Sequence, residues 1–67
     1  MEKSKIGENI KRLRLKANMS QDALSKKSNL AFYTISKIES GSTSDPRIDT
    51  VKKIADALGV SLDELMK

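Results

Sequence analysis

Apolar residues recur at helical spacing in short stretches along this chain, and a residue suited to a left-handed backbone stands at the end of several of them. These residues are Asn29, Gly41 and Gly59, and Gly and Asn are the types that most often end a helix in that conformation. Apolar residues three and four positions apart form one stripe on a helix, whereas a half-buried strand requires alternation. The pattern predicts an all-α fold of short helices joined by connections of a few residues.

Capping signals predict where the first two helices begin and end. The first is expected from about Lys5 to Ala17, with Ser4 as its N-cap. The second is expected to begin at Gln21, behind Ser20 as N-cap, and to stop by Ser28 before Asn29. The buried stripe of the first helix is predicted to consist of Ile6, Ile10, Leu13 and Ala17.

Three further helices are predicted in the second half of the chain. The third runs from about Ala31 to Ser40, where Gly41 ends it, and residues 41–46 form a loop. Ser61 and Glu64 have the spacing of a capping box and begin a short fifth helix. The fourth helix, ended by Gly59, is expected to bury one face made of Ile48, Val51, Ile54, Ala55 and Leu58. The predicted fold class is therefore a compact five-helix, all-α domain.

The length and composition exclude several classes of protein. A chain of 67 residues forms one domain, and without Cys or His it has neither a disulfide nor an ordinary zinc site. It also lacks a Gly-rich phosphate loop and a catalytic acid pair, so no enzyme, metal, cofactor or small-molecule ligand is expected. Its apolar runs are far shorter than the ~20 residues of a membrane span, and charged residues interrupt the first fifteen positions, which argues against a signal peptide.

The charge of the chain is unevenly distributed. Residues 1–38 carry nine basic and three acidic side chains, a net charge of +6, whereas residues 39–67 carry a net charge of −2. A basic half favours association with a polyanion, because neutralised phosphates release their counterions. A solvated helix face produces the same imbalance, so charge alone leaves both interpretations open.

The segment 20–41, SQDALSKKSNLAFYTISKIESG, contains the most specific pattern in the chain. It resembles the helix-turn-helix of the lambda-repressor-like, Cro-type family at Ser20-Gln21, Leu24, Ile35-Ser36, Ile38-Glu39 and Gly41. The resemblance continues outside the motif, at Ile10, Leu13 and Arg14 and at Ile54-Ala55, Leu58-Gly59-Val60 and Leu62. It implies one domain over residues 1–67, with the helix-turn-helix at about 20–40, that binds double-stranded DNA.

The outward face of the third helix is the expected site of sequence recognition. With Ile35 and Ile38 facing inward, the outward positions are Phe32, Tyr33, Ser36, Lys37 and Ser40. The resemblance implies base contacts at Phe32, Tyr33 and Lys37 in the major groove. The alternative is that Phe32 packs into the domain and Tyr33 contacts only phosphate.

Further positions are expected to hold the DNA backbone. Gln21 opens the second helix, where an amide and free N–H groups can bind a phosphate. The resemblance implies that Ser40, Ser42 and Arg47 lie in or beside a loop that contacts the backbone and the minor groove. Several relatives are basic in this loop, whereas this chain has Ser44 and Asp45, which makes Arg47 the strongest remaining candidate.

Other positions are expected to be structural. The resemblance implies an ion pair between Arg14 and Glu39 that ties the first helix to the third. Ala31 departs from the Ser or Thr that relatives often have as the N-cap of the third helix, a loss of about 1 kcal/mol. Ser25 stands where the family usually has Ala, so its hydroxyl is expected to bond to a carbonyl one turn back.

The resulting functional prediction is a transcriptional repressor or autoregulator that acts in the cytoplasm as a homodimer on a palindromic operator. Phage repressors, restriction-modification controller proteins and antitoxins have similar sequences. The dimer surface is expected near the fourth and fifth helices, where Leu62 and Met66 are partly exposed; otherwise these two residues complete the core.

Two alternative functions remain from the sequence. A protein-interaction module on the same fold would use Phe32 and Tyr33 as anchors for a partner protein. RNA is a weaker candidate, because the chain has no sheet that could serve as an aromatic stacking platform. Steep inverse salt dependence distinguishes DNA binding from an aromatic-centred protein interface.

Overall fold

The structure of the chain, a computed structural model, describes residues 5–43 and 46–66. These residues form helices and no strand, as predicted. None of the helices is long and apolar enough to span a membrane. The five helices are α1 (Ile6–Lys16), α2 (Gln21–Ser28), α3 (Phe32–Ser40), α4 (Ile48–Leu58) and α5 (Leu62–Met66).

One apolar core joins the five helices. Partly buried apolar residues surround it, among them Leu13, Met19 and Leu62. Each fully buried Leu or Ile contributes about 1.5–3 kcal/mol. Helix packing is therefore the main stabilising interaction, and it is built on Ile6, Ile10, Leu24, Ile35, Ile38, Val51, Ile54, Ala55, Ala57 and Leu65.

The predicted capping residues adopt the conformations that end and begin helices. The Ser20 hydroxyl accepts a hydrogen bond from the backbone N–H of Ala23 at 3.0 Å, and the Ser61 hydroxyl accepts one from Glu64 at 3.2 Å. Asn29, Gly41 and Gly59 all have positive φ, at 61°, 87° and 72°. The boundaries of α2 and the ends of α3 and α4 are confirmed.

The predicted first helix is slightly too long, and its stripe has one wrong member. α1 ends at Lys16, and Ala17 is exposed in the turn that follows. The backbone turns there because Asn18 adopts a left-handed conformation with φ 60°, which lets Met19 donate to the Arg14 carbonyl at 3.0 Å. The proposed N-cap Ser4 lies outside the described residues.

The predicted buried face of α4 is also wrong at one position. Ile48 is 60% exposed, whereas Ala57 is buried. Ile48 is the first residue of α4 and so lies at the end of the stripe, where no neighbouring helix covers it. Ala57 lies beside Ser28 and Asn29 at the end of α2. The buried face of α4 therefore includes a residue that the predicted stripe left out.

Small residues allow the helices to approach one another closely. The Ser25 hydroxyl donates to the Asp22 carbonyl at 2.8 Å, as expected, and the Ser28 hydroxyl donates to Leu24 at 2.7 Å. Gly7 faces the end of α3, where a Cβ atom would overlap the carbonyl oxygen of Ile38. Close packing at Gly7 thus positions α1 against α3.

Candidate nucleic-acid interface

The two faces of α3 differ sharply. Ile35 and Ile38 point into the core and are 0% and 2% exposed. On the opposite face, Phe32 is 51% exposed and Tyr33 is 68% exposed. Phe32 does not tuck into the domain, so the two neighbouring rings leave apolar surface exposed on α3. Exposed apolar patches are a common feature of contact surfaces.

Lys37 lies one helical turn after Tyr33 on the same face. Its Nζ atom is 5.2 Å from the centroid of the Tyr33 ring, within the range of a cation–π contact. Such a contact at an exposed site contributes about 0.5–1 kcal/mol. The contact restricts the position of the ammonium group, so α3 presents an aromatic ring and a cation as one unit.

The predicted ion pair between α1 and α3 is present. Arg14 Nε donates to Glu39 at 2.7 Å, and a second guanidinium nitrogen donates to the other carboxylate oxygen at 3.0 Å. A third donates to the Met19 carbonyl at 2.8 Å. The pKa of the Arg14 guanidinium is raised, chiefly by its hydrogen bond to Glu39, with burial opposing the shift and the carboxylate charge adding to it.

Gln21 joins this ion pair, a contact that the sequence analysis did not predict. Its Nε2 atom donates to Glu39 at 3.0 Å, to the same oxygen that one arm of Arg14 contacts. Gln21 is partly exposed at the first position of α2. The amide expected to bind phosphate is therefore anchored to α3.

A shallow groove lies over this network, where α1, α2 and α3 meet. It gathers the predicted residues Gln21, Ser36 and Ser40 above the ion pair. It also includes Lys11, which the sequence analysis did not single out. A signal was available, because Lys11 precedes Arg14 by one helical turn and must lie on the same side of α1. We call this the three-helix groove; its lining is Lys11, Arg14, Gln21, Ser36, Glu39 and Ser40.

A second groove separates α3 from the beginning of α4. It brings the predicted residue Arg47 to the same depression as Tyr33 and Lys37. Pro46 and Ile38 form apolar parts of its wall. Hydroxyl groups complete the lining, from Thr34, Thr43 and Thr50. These threonines were also missed, since only the fold shows that they share a groove with Lys37.

The remaining predicted residues lie at the end of α3. The Ser40 hydroxyl donates to the Lys37 carbonyl at 3.1 Å and lies 3.1 Å from the Ser42 hydroxyl. Both serines are exposed. Ser44 and Asp45 lie outside the described residues, and no group of acidic side chains that could hold a metal occurs in ranges 5–43 and 46–66.

Comparison with known proteins identifies what this arrangement resembles. The family model described as helix-turn-helix matches residues 10–65. The N-terminal DNA-binding domain of SinR from Bacillus subtilis aligns with a TM-score of 0.90 and 30% identity, over 94% of this chain and 91% of that one. The complex of SinR, the master regulator for biofilm formation, with DNA aligns with a TM-score of 0.89 and 31% identity, over 92% and 98%.

A restriction-modification controller protein, C.Esp1396I, is also similar. It aligns with a TM-score of 0.83 and 36% identity, over 94% of this chain and 83% of that one. A search of curated protein sequences finds no match. In these three structures, the alignment covers 83% or more of the matched chain.

Proposed function

The chain belongs to the helix-turn-helix family of DNA-binding transcription regulators, and on this premise we propose that it is a sequence-specific, homodimeric repressor or autoregulator. In this proposal α3 enters the major groove of duplex DNA, which is about 12 Å wide and admits one helix. The N-terminus of α2 and the loop before α4 contact the backbone on either side.

The outward face of α3 is the observation that carries the proposal. Phe32 and Tyr33 offer apolar surface for thymine methyl groups, and Lys37 offers a donor for the O6 and N7 atoms of guanine. The inward face is fully committed to the core, so base contacts can change without loss of the fold. Ser36 is partly exposed between Tyr33 and Lys37 in the sequence of α3, and we propose it as a further polar contact to a base or phosphate.

Backbone contacts are proposed for the two grooves that flank this face. Gln21 and Ser40 line the three-helix groove, and Arg47 lines the groove beside Lys37. Ser42, exposed next to Ser40, extends the same surface. Contacts of this kind position α3 without reading sequence.

A homodimer on an inverted repeat is the proposed form of binding. Two-fold symmetric readers of this type place half-site centres about 34 Å apart. Met66 is 58% exposed and Leu62 is partly buried on α5, which supplies apolar surface for self-association. Such a regulator would work in the bacterial cytoplasm, where its operator is accessible, and repress by occupying it.

Selection from a pool of randomised duplex DNA tests this proposal. The protein is incubated with the pool at two salt concentrations, and the retained sequences are compared for wild type, Lys37→Ala and Lys52→Ala. Lys52 is the matched control, because it is exposed on α4 and lines none of the grooves described above. We expect an enriched inverted repeat, steep loss of binding in salt, and relaxed specificity for Lys37→Ala only.

The opposite result would show that the surface has another role. If no sequence is enriched and weak residual binding is the same for all three proteins, α3 does not read DNA. The exposed Phe32 and Tyr33 would then be anchors for a protein partner, the alternative function of the same fold.

A further inference from the structure

We propose that Glu39 is a positioning residue for DNA binding, which orients the Gln21 amide so that Gln21 and Lys11 together receive one backbone phosphate in the three-helix groove. This inference rests on the proposed function and assigns roles to two residues within it. In this inference the buried Glu39 orients the Gln21 amide, and the more exposed Gln21 and Lys11 bind the phosphate.

The hydrogen bond to Glu39 determines the orientation of the Gln21 amide, with its nitrogen toward Glu39. A carboxylate accepts hydrogen bonds and cannot donate them, so Gln21 must turn its nitrogen toward Glu39. That nitrogen carries two hydrogens, of which one is donated to Glu39 Oε1. In the described part of the chain the second hydrogen has no acceptor, so it remains available for an anion.

Arg14 makes this arrangement compatible with a phosphate nearby. Its guanidinium donates to both oxygens of Glu39, and the paired side chains are only 8% and 3% exposed. The carboxylate charge is thereby neutralised inside the domain and does not face the groove alone. Arg14 also holds the Met19 carbonyl, directly before the Ser20 cap, so the same network positions the beginning of α2.

Lys11 supplies a positive charge for the phosphate, because the charge of Arg14 is already paired with that of Glu39. It is exposed on α1 and lines the groove together with Gln21. The Ser40 hydroxyl, which also lines the groove, donates to the Lys37 carbonyl and would have to exchange that bond to contact a phosphate. A phosphate in the groove would thus meet one ammonium group from α1 and one amide N–H from α2, two donors fixed by different helices.

The test is a scan of the selected operator with single neutral methylphosphonates, each replacing one backbone phosphate. We expect one position at which the replacement weakens wild-type binding about tenfold, the loss of a charge-assisted hydrogen bond. The same replacement should have a reduced effect on Gln21→Ala and on Lys11→Ala, since each keeps one of the two donors, and almost no effect on the double variant. Lys52→Ala, which removes an exposed lysine from α4 away from the groove, is the control and should behave as wild type.

Glu39→Gln is the decisive variant. It keeps the shape of the side chain but replaces one acceptor oxygen with an N–H donor, so the two Arg14 nitrogens and the Gln21 amide no longer share two acceptor oxygens. The Gln21 amide is then no longer held in a single orientation, and its second N–H is not fixed toward the groove. We expect Glu39→Gln to reduce sensitivity at that phosphate to the level of Gln21→Ala, and its loss of affinity to be absent in the Gln21→Ala background. Folding is verified by circular dichroism at the assay temperature, and Lys11→Ala tests the phosphate with the ion pair untouched.

Two contrary outcomes are distinguishable. If the wild type binds its operator but Glu39→Gln retains full sensitivity at the phosphate read by Gln21, or if Lys11→Ala does, the positioning role is wrong while the proposed function stands. If the wild type binds no duplex in a salt-dependent manner, both the inference and the proposed function fail.

Discussion

Helices α3 and α4 follow the same local rules and differ only in what their outer faces carry. Each begins without a side-chain cap, at Ala31 and Arg47, and each ends at a glycine with positive φ. Each buries an Ile completely, Ile35 in α3 and Ile54 in α4. Apart from Ile48, the exposed face of α4 is made of charged residues of both signs, whereas the outer face of α3 carries two aromatic rings and a lysine.

This difference separates the requirements of folding from those of function. A charged outer face is sufficient to keep a helix solvated, as Asp49, Lys52, Lys53 and Asp56 do for α4. Nothing in the fold requires Phe32 and Tyr33 to be exposed on α3. Under the proposed function, a bound DNA duplex accounts for their exposure, and substitutions on the two helices test this explanation.

The largest effect is expected from the inner faces, where the two helices are equivalent. Ile35→Ala and Ile54→Ala each remove a fully buried side chain and should cost about 2–5 kcal/mol. That is comparable to the whole stability of a domain of this size without disulfides or metal. Thermal unfolding followed by circular dichroism should show both variants largely unfolded near 37 °C; a cooperative transition at the wild-type temperature would contradict the packing described here.

The next effect concerns buried and exposed ion pairs. Arg14→Ala leaves the carboxylate of Glu39 buried without its cation and should cost about 3 kcal/mol. Lys26→Ala breaks the pair with Asp22, whose side chains are 78% and 61% exposed, and should cost less than about 0.5 kcal/mol. Equal losses of unfolding free energy for the two variants, measured by denaturant titration, would show that the network is not structural.

Substitutions on the outer face of α3 should lower DNA affinity, whereas substitutions on the outer face of α4 should not. Tyr33→Ala should weaken operator binding by about 1–3 kcal/mol, because it removes a base contact and releases Lys37. Lys53→Ala on α4 should leave affinity nearly unchanged. Fluorescence anisotropy with the selected duplex measures both, and unfolding temperatures within a few degrees of wild type would show that Tyr33→Ala acts on binding alone.

The smallest effect is expected at the uncapped beginning of α3. Ala31→Ser supplies the missing N-cap and should stabilise the domain by about 1 kcal/mol, a rise of about 4–8 °C in unfolding temperature. Ser20→Ala, which removes the observed cap of α2, should have the opposite sign. A fall in unfolding temperature for Ala31→Ser would mean that a serine cannot cap α3 in this turn.

Local signals in the sequence were sufficient to predict most of the fold. Asn29, Gly41 and Gly59 end helices because left-handed backbone is a property of the residue itself, and Ser20 caps α2 for the same local reason. The stripes failed at their ends, at Ala17 and Ile48, because burial there depends on whether another helix lies above. That is tertiary information which periodicity does not contain.

The same distinction applies to the candidate site. The outward positions of α3 follow from the inward positions of Ile35 and Ile38, so spacing was sufficient to predict which face is outward. The choice of Phe32, Tyr33 and Lys37 within that face came from the family resemblance. The bond between Gln21 and Glu39 joins residues 18 positions apart, and Lys11 enters the groove from another helix. The close approach at Gly7 also depends on the packing of α1 on α3, which sequence spacing does not specify.

DNA recognition by α3 is tested most directly by a map of amide chemical-shift changes in the protein upon addition of the selected duplex. We expect the largest changes at Phe32, Tyr33 and Lys37, smaller ones at Gln21 and Arg47, and none on the charged face of α4. Changes concentrated on α4 and α5, with α3 unaffected, would contradict it, because α3 would then not be the helix that reads DNA.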